Sequence, residues 1–156
     1  MYLDKFKARF VELNTIYLKK ITPCTKEEVS YLEEELLLSL PLAYKEFLLW
    51  GGHSAGGLME GSDCFFQNLL LNQETAKEIL VEDKFSHPLP EDAFVFFMHQ
   101  DYYFLFFQIS GGDDPPVYSY RQNQTKTSFK QEYYKYSDFL VDILEKEAEW
   151  RMRKWK

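Results

Sequence analysis

The sequence predicts an α+β fold: a single domain with a mainly antiparallel, aromatic-rich sheet and helices packed against it. Two apolar-aromatic runs, residues 94–98 and 102–107, flank the polar triplet His99-Gln100-Asp101. A third run opens at Val117, after the loop Gly111-Gly112-Asp113-Asp114-Pro115-Pro116. Phe, Tyr and Val suit a pleated surface, so such runs bounded by turn residues read as strands. Their links are too short for parallel crossovers, which predicts an antiparallel meander at the centre of one sheet. The first two runs show little polar alternation, so both faces need cover.

The helices that supply this cover are read in chain order. Leu3, Phe6, Phe10, Leu13 and Tyr17 recur at steps of three and four, one stripe of an amphipathic helix. Residues 1–20 are thus an N-terminal helical extension of a domain spanning 1–156. After the break at Pro23, Thr25 and Glu28 have capping-box spacing, and the helix runs to about 37 with Val29, Leu32 and Leu36 inward. Leu40-Pro41 starts a third helix, with proline at the first helical position and Tyr44, Phe47 and Leu48 inward. Gly51-Gly52 ends it, as glycine does where a left-handed residue follows the last turn. Residues 53–61 read as a loop, and 63–71 as a strand centred on Cys64-Phe65-Phe66. Asn72 reads as the cap of a helix to about 84, with Ala76, Ile79 and Leu80 inward. His87-Pro88-Leu89-Pro90 is a stiff link, and 122–130 a polar hairpin tip. Ser137 reads as the cap of a last helix whose buried face is Phe139, Leu140, Ile143 and Leu144. Its basic end suits the helix dipole.

Composition narrows the function classes. A net charge of −7 disfavours nucleic acid and anionic lipid, which recruit clustered Lys and Arg, and favours a partner with a basic surface. Cys24 and Cys64 share no C-x-x-C spacing, which predicts reduced thiols in a cytoplasmic protein. The first residues lack a signal peptide's apolar core, and no apolar run approaches the roughly 18 residues of a membrane span.

No catalytic pattern is present. His99 with Asp101, Asp113 and Asp114 could ligate a cation, but their spacing is not a ligand spacing. Cys64 is followed by two phenylalanines and reads as core. Ser54 and Ser62 lie outside any G-x-S-x-G, and the glycine pairs outside any phosphate-binding pattern. The expectation is a protein that is not an enzyme and has no metal or cofactor.

One ordered constellation remains. Leu40-Pro41-Leu42-Ala43-Tyr44-Lys45-Glu46-Phe47-Leu48 runs into Gly51-Gly52. Later come Phe96-Phe97-Met98-His99-Gln100, Phe106-Phe107, Gly112-Asp113-Asp114-Pro115-Pro116-Val117-Tyr118 and Tyr136-Ser137-Asp138-Phe139-Leu140. In this order and spacing the chain resembles the SUKH superfamily over roughly residues 28–144. That group holds many bacterial toxin-immunity proteins and a fungal regulator of cell-wall synthesis. Trp50 stands where members commonly have Asn, and Asp101 where they commonly have Gly. The resemblance implies a binding protein that blocks a cognate toxin domain, often a nuclease, inside the producing cell. A regulatory interaction scaffold and an unrecognised hydrolase are the alternatives. No family motif specifies toxin contacts. Loop chemistry instead nominates Glu60, Asp63, Asp101, Tyr102, Tyr103, Asp113 and Asp114, since loops carry function and tyrosine combines area with a polar tip.

Overall fold

The computed structural model describes residues 1–100, 102–122 and 128–154. The elements are α1 (Asp4–Glu12), β1 (Ile21–Thr22), α2 (Lys26–Leu36), α3 (Leu42–Gly51), β2 (Ser54–Ala55), α4 (Phe66–Glu82), β3 (Ala93–His99), β4 (Tyr103–Gln108), β5 (Val117–Arg121), β6 (Lys130–Tyr133) and α5 (Tyr136–Lys154). The last four strands form one antiparallel sheet in the order β3-β4-β5-β6, while β1 pairs with β2.

Both faces of the large sheet are covered. Val95, Met98, Phe104, Phe106 and Tyr120 pack with Ala76, Ile79 and Leu80 of α4. Phe94, Phe96, Phe97, Leu105, Phe107 and Val117 join the core built with α1, α2, α3 and α5. Strict alternation would place Phe97 on the α4 side with Val95. A register shift between Val95 and Phe97, a β-bulge, instead puts Phe96 and Phe97 on one face. Phe96 stacks on Phe107 at 5.2 Å between centroids and meets Tyr136 and Phe139 edge-on at 5.2 and 5.3 Å.

The meander is not wholly central, because β3 is an edge strand. Its outer edge is closed by side chains and loop. The buried Gln73 amide accepts the Val95 N–H at 2.8 Å and donates to the Val95 carbonyl at 2.8 Å, standing in for a neighbouring strand. Asp63 and Met98 then exchange both backbone hydrogen bonds, at 2.8 and 3.1 Å. An unpaired edge would expose these groups to strand addition.

Several helix boundaries differ from the sequence reading. The stripe from Leu3 to Tyr17 is buried throughout, but α1 stops at Glu12 and the chain turns back. The Tyr17 hydroxyl donates to the Leu144 carbonyl at 2.8 Å, tying this segment to α5. The Thr25–Glu28 capping box is formed. Pro41 is the cap of α3 rather than its first helical residue. Gly52 is right-handed, with φ of −66°, so the reason for glycine is space. A Cβ there would lie 2.3 Å from the Cys24 sulfur and 2.7 Å from the Leu48 carbonyl.

The strand expected over 63–71 is absent, because α4 starts at Phe66. A short apolar run does not distinguish strand from buried helix. Asn72 is not a cap; it is buried inside α4 and donates to the Asp63 carbonyl at 2.7 Å. Ser137 likewise lies inside α5. β6 follows the polar stretch and has no apolar alternation to announce it.

Candidate partner-binding site

The nominated residues divide between the two ends of β4. Asp113 and Asp114 lie at the β5 end, and their groups are largely engaged. Asp114 accepts the Ser137 N–H at 2.9 Å and the Ser137 hydroxyl at 2.6 Å, so it caps α5 from another segment. The Asp113 carbonyl accepts the Ala43 N–H at 2.9 Å, and its carboxylate accepts the Tyr2 hydroxyl at 3.2 Å. Pro115 is buried beside them.

The other end collects Glu60, Asp63, Tyr102 and Tyr103. Asp101 lies outside the described residues. The Asp63–Met98 pairing brings the loop 56–63 against the β3–β4 turn. The Ser62 hydroxyl lies 3.4 Å from His99 Nδ1. Tyr102 meets the His99 ring edge-on at 5.9 Å. The Arg121 guanidinium sits 4.5 Å from the Tyr103 ring centre and 5.9 Å from that of Tyr102, holding both rings by cation–π attraction. Glu60 is exposed and pairs with Lys19 at 2.5 Å.

Backbone conformation marks the same place. Among the described residues, four other than glycine have positive φ. Leu37 caps α2 in the left-handed region and Lys84 follows the cap of α4, both ordinary helix ends. Met59, at φ 58°, and Gln100, at φ 50°, belong to the loop and to the turn. Each such residue stores roughly 1–3 kcal/mol, which surrounding structure must offset. At Met59 the N–H donates to both carboxylate oxygens of Glu147 at 3.1 Å. Burial holds the Glu147 carboxyl above its ordinary range, against the pull of the Met59 N–H and of Arg151.

Two depressions of about 360 Å³ each flank this junction. One lies along the loop, lined by Lys19, His53, Glu60, Ser62, Asp63 and Asn68 among others. The other runs between the sheet and α5, where Tyr103, Tyr133, Ile143, Glu147 and Trp150 meet. Trp150 is 59% exposed. Trp150 and Arg121 were not nominated from sequence. From sequence the last helix has only its buried face and its basic end, and Trp150, just before that end, was the available signal.

The model of the SMI1 / KNR4 family (SUKH-1) matches residues 23–146. The chain belongs to the SUKH-1 family. That family includes toxin-immunity proteins, and its members are generally non-enzymatic immunity or regulatory proteins. No curated protein matches the chain. The SUKH-1 match takes in the loop, the β3–β4 turn and the Asp113-Asp114 link, and starts after α1 and β1. Among the described residues no helix is long and apolar enough to cross a membrane.

Proposed function

We propose that this SUKH-1 chain is a bacterial immunity protein that binds and neutralises a cognate toxin domain in the cytoplasm. The contact is the face formed by the loop 56–63 and the β3–β4 turn. The observation that supports this assignment is the Asp63–Met98 pairing of the two segments that carry Met59 and Gln100, which among the described residues are the left-handed ones other than glycine outside helix ends, beside acidic and aromatic side chains. Glu60 and Asp63 supply charge, and Tyr102 and Tyr103 supply area around Arg121; Asp101, next to Tyr102 in sequence, is proposed with them. Asp114 acts as a helix cap, while Asp113 keeps an exposed carboxylate at the rim of the fold.

The partner is a basic domain, and a nuclease suits best. A surface that grips phosphate is basic, and a chain of net charge −7 is steered toward it and away from nucleic acid itself. Residues 1–22 belong to the same folding unit in this reading, since Phe6 and Phe10 lie in the main core. Co-expression with the toxin encoded beside this gene tests the assignment. Protection by the native chain, lost in a folded Glu60→Lys, Tyr102→Ala variant, is expected. Protection that survives in that variant removes this face, and absence of protection by the native chain removes the immunity assignment.

A further inference from the structure

At one wall of the depression along the loop 56–63, which His53 lines, three side chains from three segments converge beside the start of α2. Cys24 comes from the β1–α2 link, Glu28 from the first turn of α2, and His53 from the link after α3. One ligand atom of each lies within 4.8 Å of the other two. We propose that Cys24, Glu28 and His53 form a three-ligand site for a divalent cation of the zinc class, with a fourth position open to solvent.

The geometry is built rather than incidental. The Cys24 N–H donates to the Leu48 carbonyl at 2.8 Å, and the His53 N–H donates to the Thr22 carbonyl at 2.9 Å. These two bonds lash the segments that carry the sulfur and the imidazole to each other. Gly52 lies between them, where any Cβ would collide with the Cys24 sulfur. The Thr25 N–H donates to Glu28 Oε1 at 2.9 Å and orients the carboxylate, as outer partners of metal ligands do. His53 Nε2 already points at that carboxylate, 2.8 and 3.0 Å from its oxygens.

The donor set selects the ion. Thiolate, imidazole and carboxylate together suit zinc, whereas magnesium and calcium want mostly oxygen. One thiolate and one carboxylate neutralise a divalent ion, which a half-buried site tolerates. Cys24 is buried and Glu28 and His53 are half-buried, so solvent reaches the ion from the carboxylate and imidazole side. Burial pushes the Cys24 thiol up to about 12, so without a cation the sulfur keeps its proton. Coordination releases the thiol proton to solvent, and the ion takes the place of the direct contact between His53 Nε2 and the Glu28 carboxylate. Ligand spacing along the chain gives no hint of the site, because His53 arrives only through the fold.

Cobalt(II) titration of the reduced, metal-free protein is the test, since a cobalt–thiolate bond has its own ultraviolet charge-transfer band. One equivalent should produce that band and the visible bands of a four-coordinate ion, and zinc should bleach both. Cys24→Ser should abolish the charge-transfer band, and Cys64→Ser should keep it. His53→Gln should weaken binding at least as much as the roughly 10–100-fold lost on changing an outer partner. His53 is half-exposed, so that variant decides if Cys24→Ser fails to fold. No thiolate band at excess cobalt, a band lost only with Cys64, or unchanged affinity in His53→Gln would overturn the site.

Discussion

The two ends of β4 carry similar sequence signals and behave differently. At the β5 end, Gly-Asp-Asp-Pro-Pro is the more conspicuous motif, a stiff acidic loop. There the fold has absorbed it: Asp114 caps α5, and Asp113 holds the start of α3 and the Tyr2 hydroxyl. At the turn end the motif is plain, yet the backbone takes left-handed conformations at Met59 and Gln100, Tyr102 and Tyr103 gather around Arg121, and Glu60 stays exposed beside Lys19. An acidic pair next to prolines signals a polar demand. Only the fold shows whether a helix end or a partner meets it.

The core-facing side of the sheet sets the scale for breaking this comparison. Phe96→Ala should cost about 3–5 kcal/mol, since it removes a ring packed against those of Tyr44, Phe107, Tyr136 and Phe139 at the bulge. Urea unfolding measures this, and a loss under about 1 kcal/mol would mean that the bulge does not bury Phe96 as described.

At the turn end, Tyr102→Ala should weaken partner affinity by about 2 kcal/mol with a change in fold stability within about 0.5 kcal/mol. At the opposite end, Asp114→Ala should do the reverse. It should destabilise by about 1 kcal/mol, the usual cost of a lost helix cap, and leave affinity unchanged. Calorimetric titration and urea melts of both variants give the crossed pattern; a partner-affinity loss in Asp114→Ala without destabilisation would erase the distinction.

The smallest effect is a slope. Burial raises the Glu147 carboxyl in the folded state, so the folded protein holds that proton over a pH window where the unfolded chain has released it. The associated stability is full below the ordinary glutamate value and fades as pH rises through the folded value. Glu147→Gln keeps an acceptor for Met59 but removes the titration. Its stability relative to the native chain should therefore improve from about pH 4 to about pH 7. Parallel pH profiles for the two proteins would contradict the burial of this carboxyl.

Local chemistry made much of the fold legible. Aromatic runs announced β3, β4 and β5, and the Thr25–Glu28 spacing announced the start of α2. Where a segment's role is decided from afar, the sequence misled. Ser137 looked like a cap because its true cap, Asp114, lies 23 residues earlier. Asn72 looked like a helix start because its partner, the Asp63 carbonyl, makes it a buried brace. Gln73 gave no signal at all, since its task is to complete the outer edge of β3, which only the order of strands in the sheet reveals. The site followed the same pattern. Tyr102 and Glu60 were visible as loop residues, whereas Trp150 and Arg121 join them only when α5 and β5 are in place.

Amide hydrogen exchange of the chain with and without the proposed toxin partner tests the central assignment most directly. Binding through the turn end should slow exchange at residues 57–63 and 99–103 and leave 111–116 unchanged. Protection confined to 111–116, with the turn end exchanging as in the free protein, would contradict it.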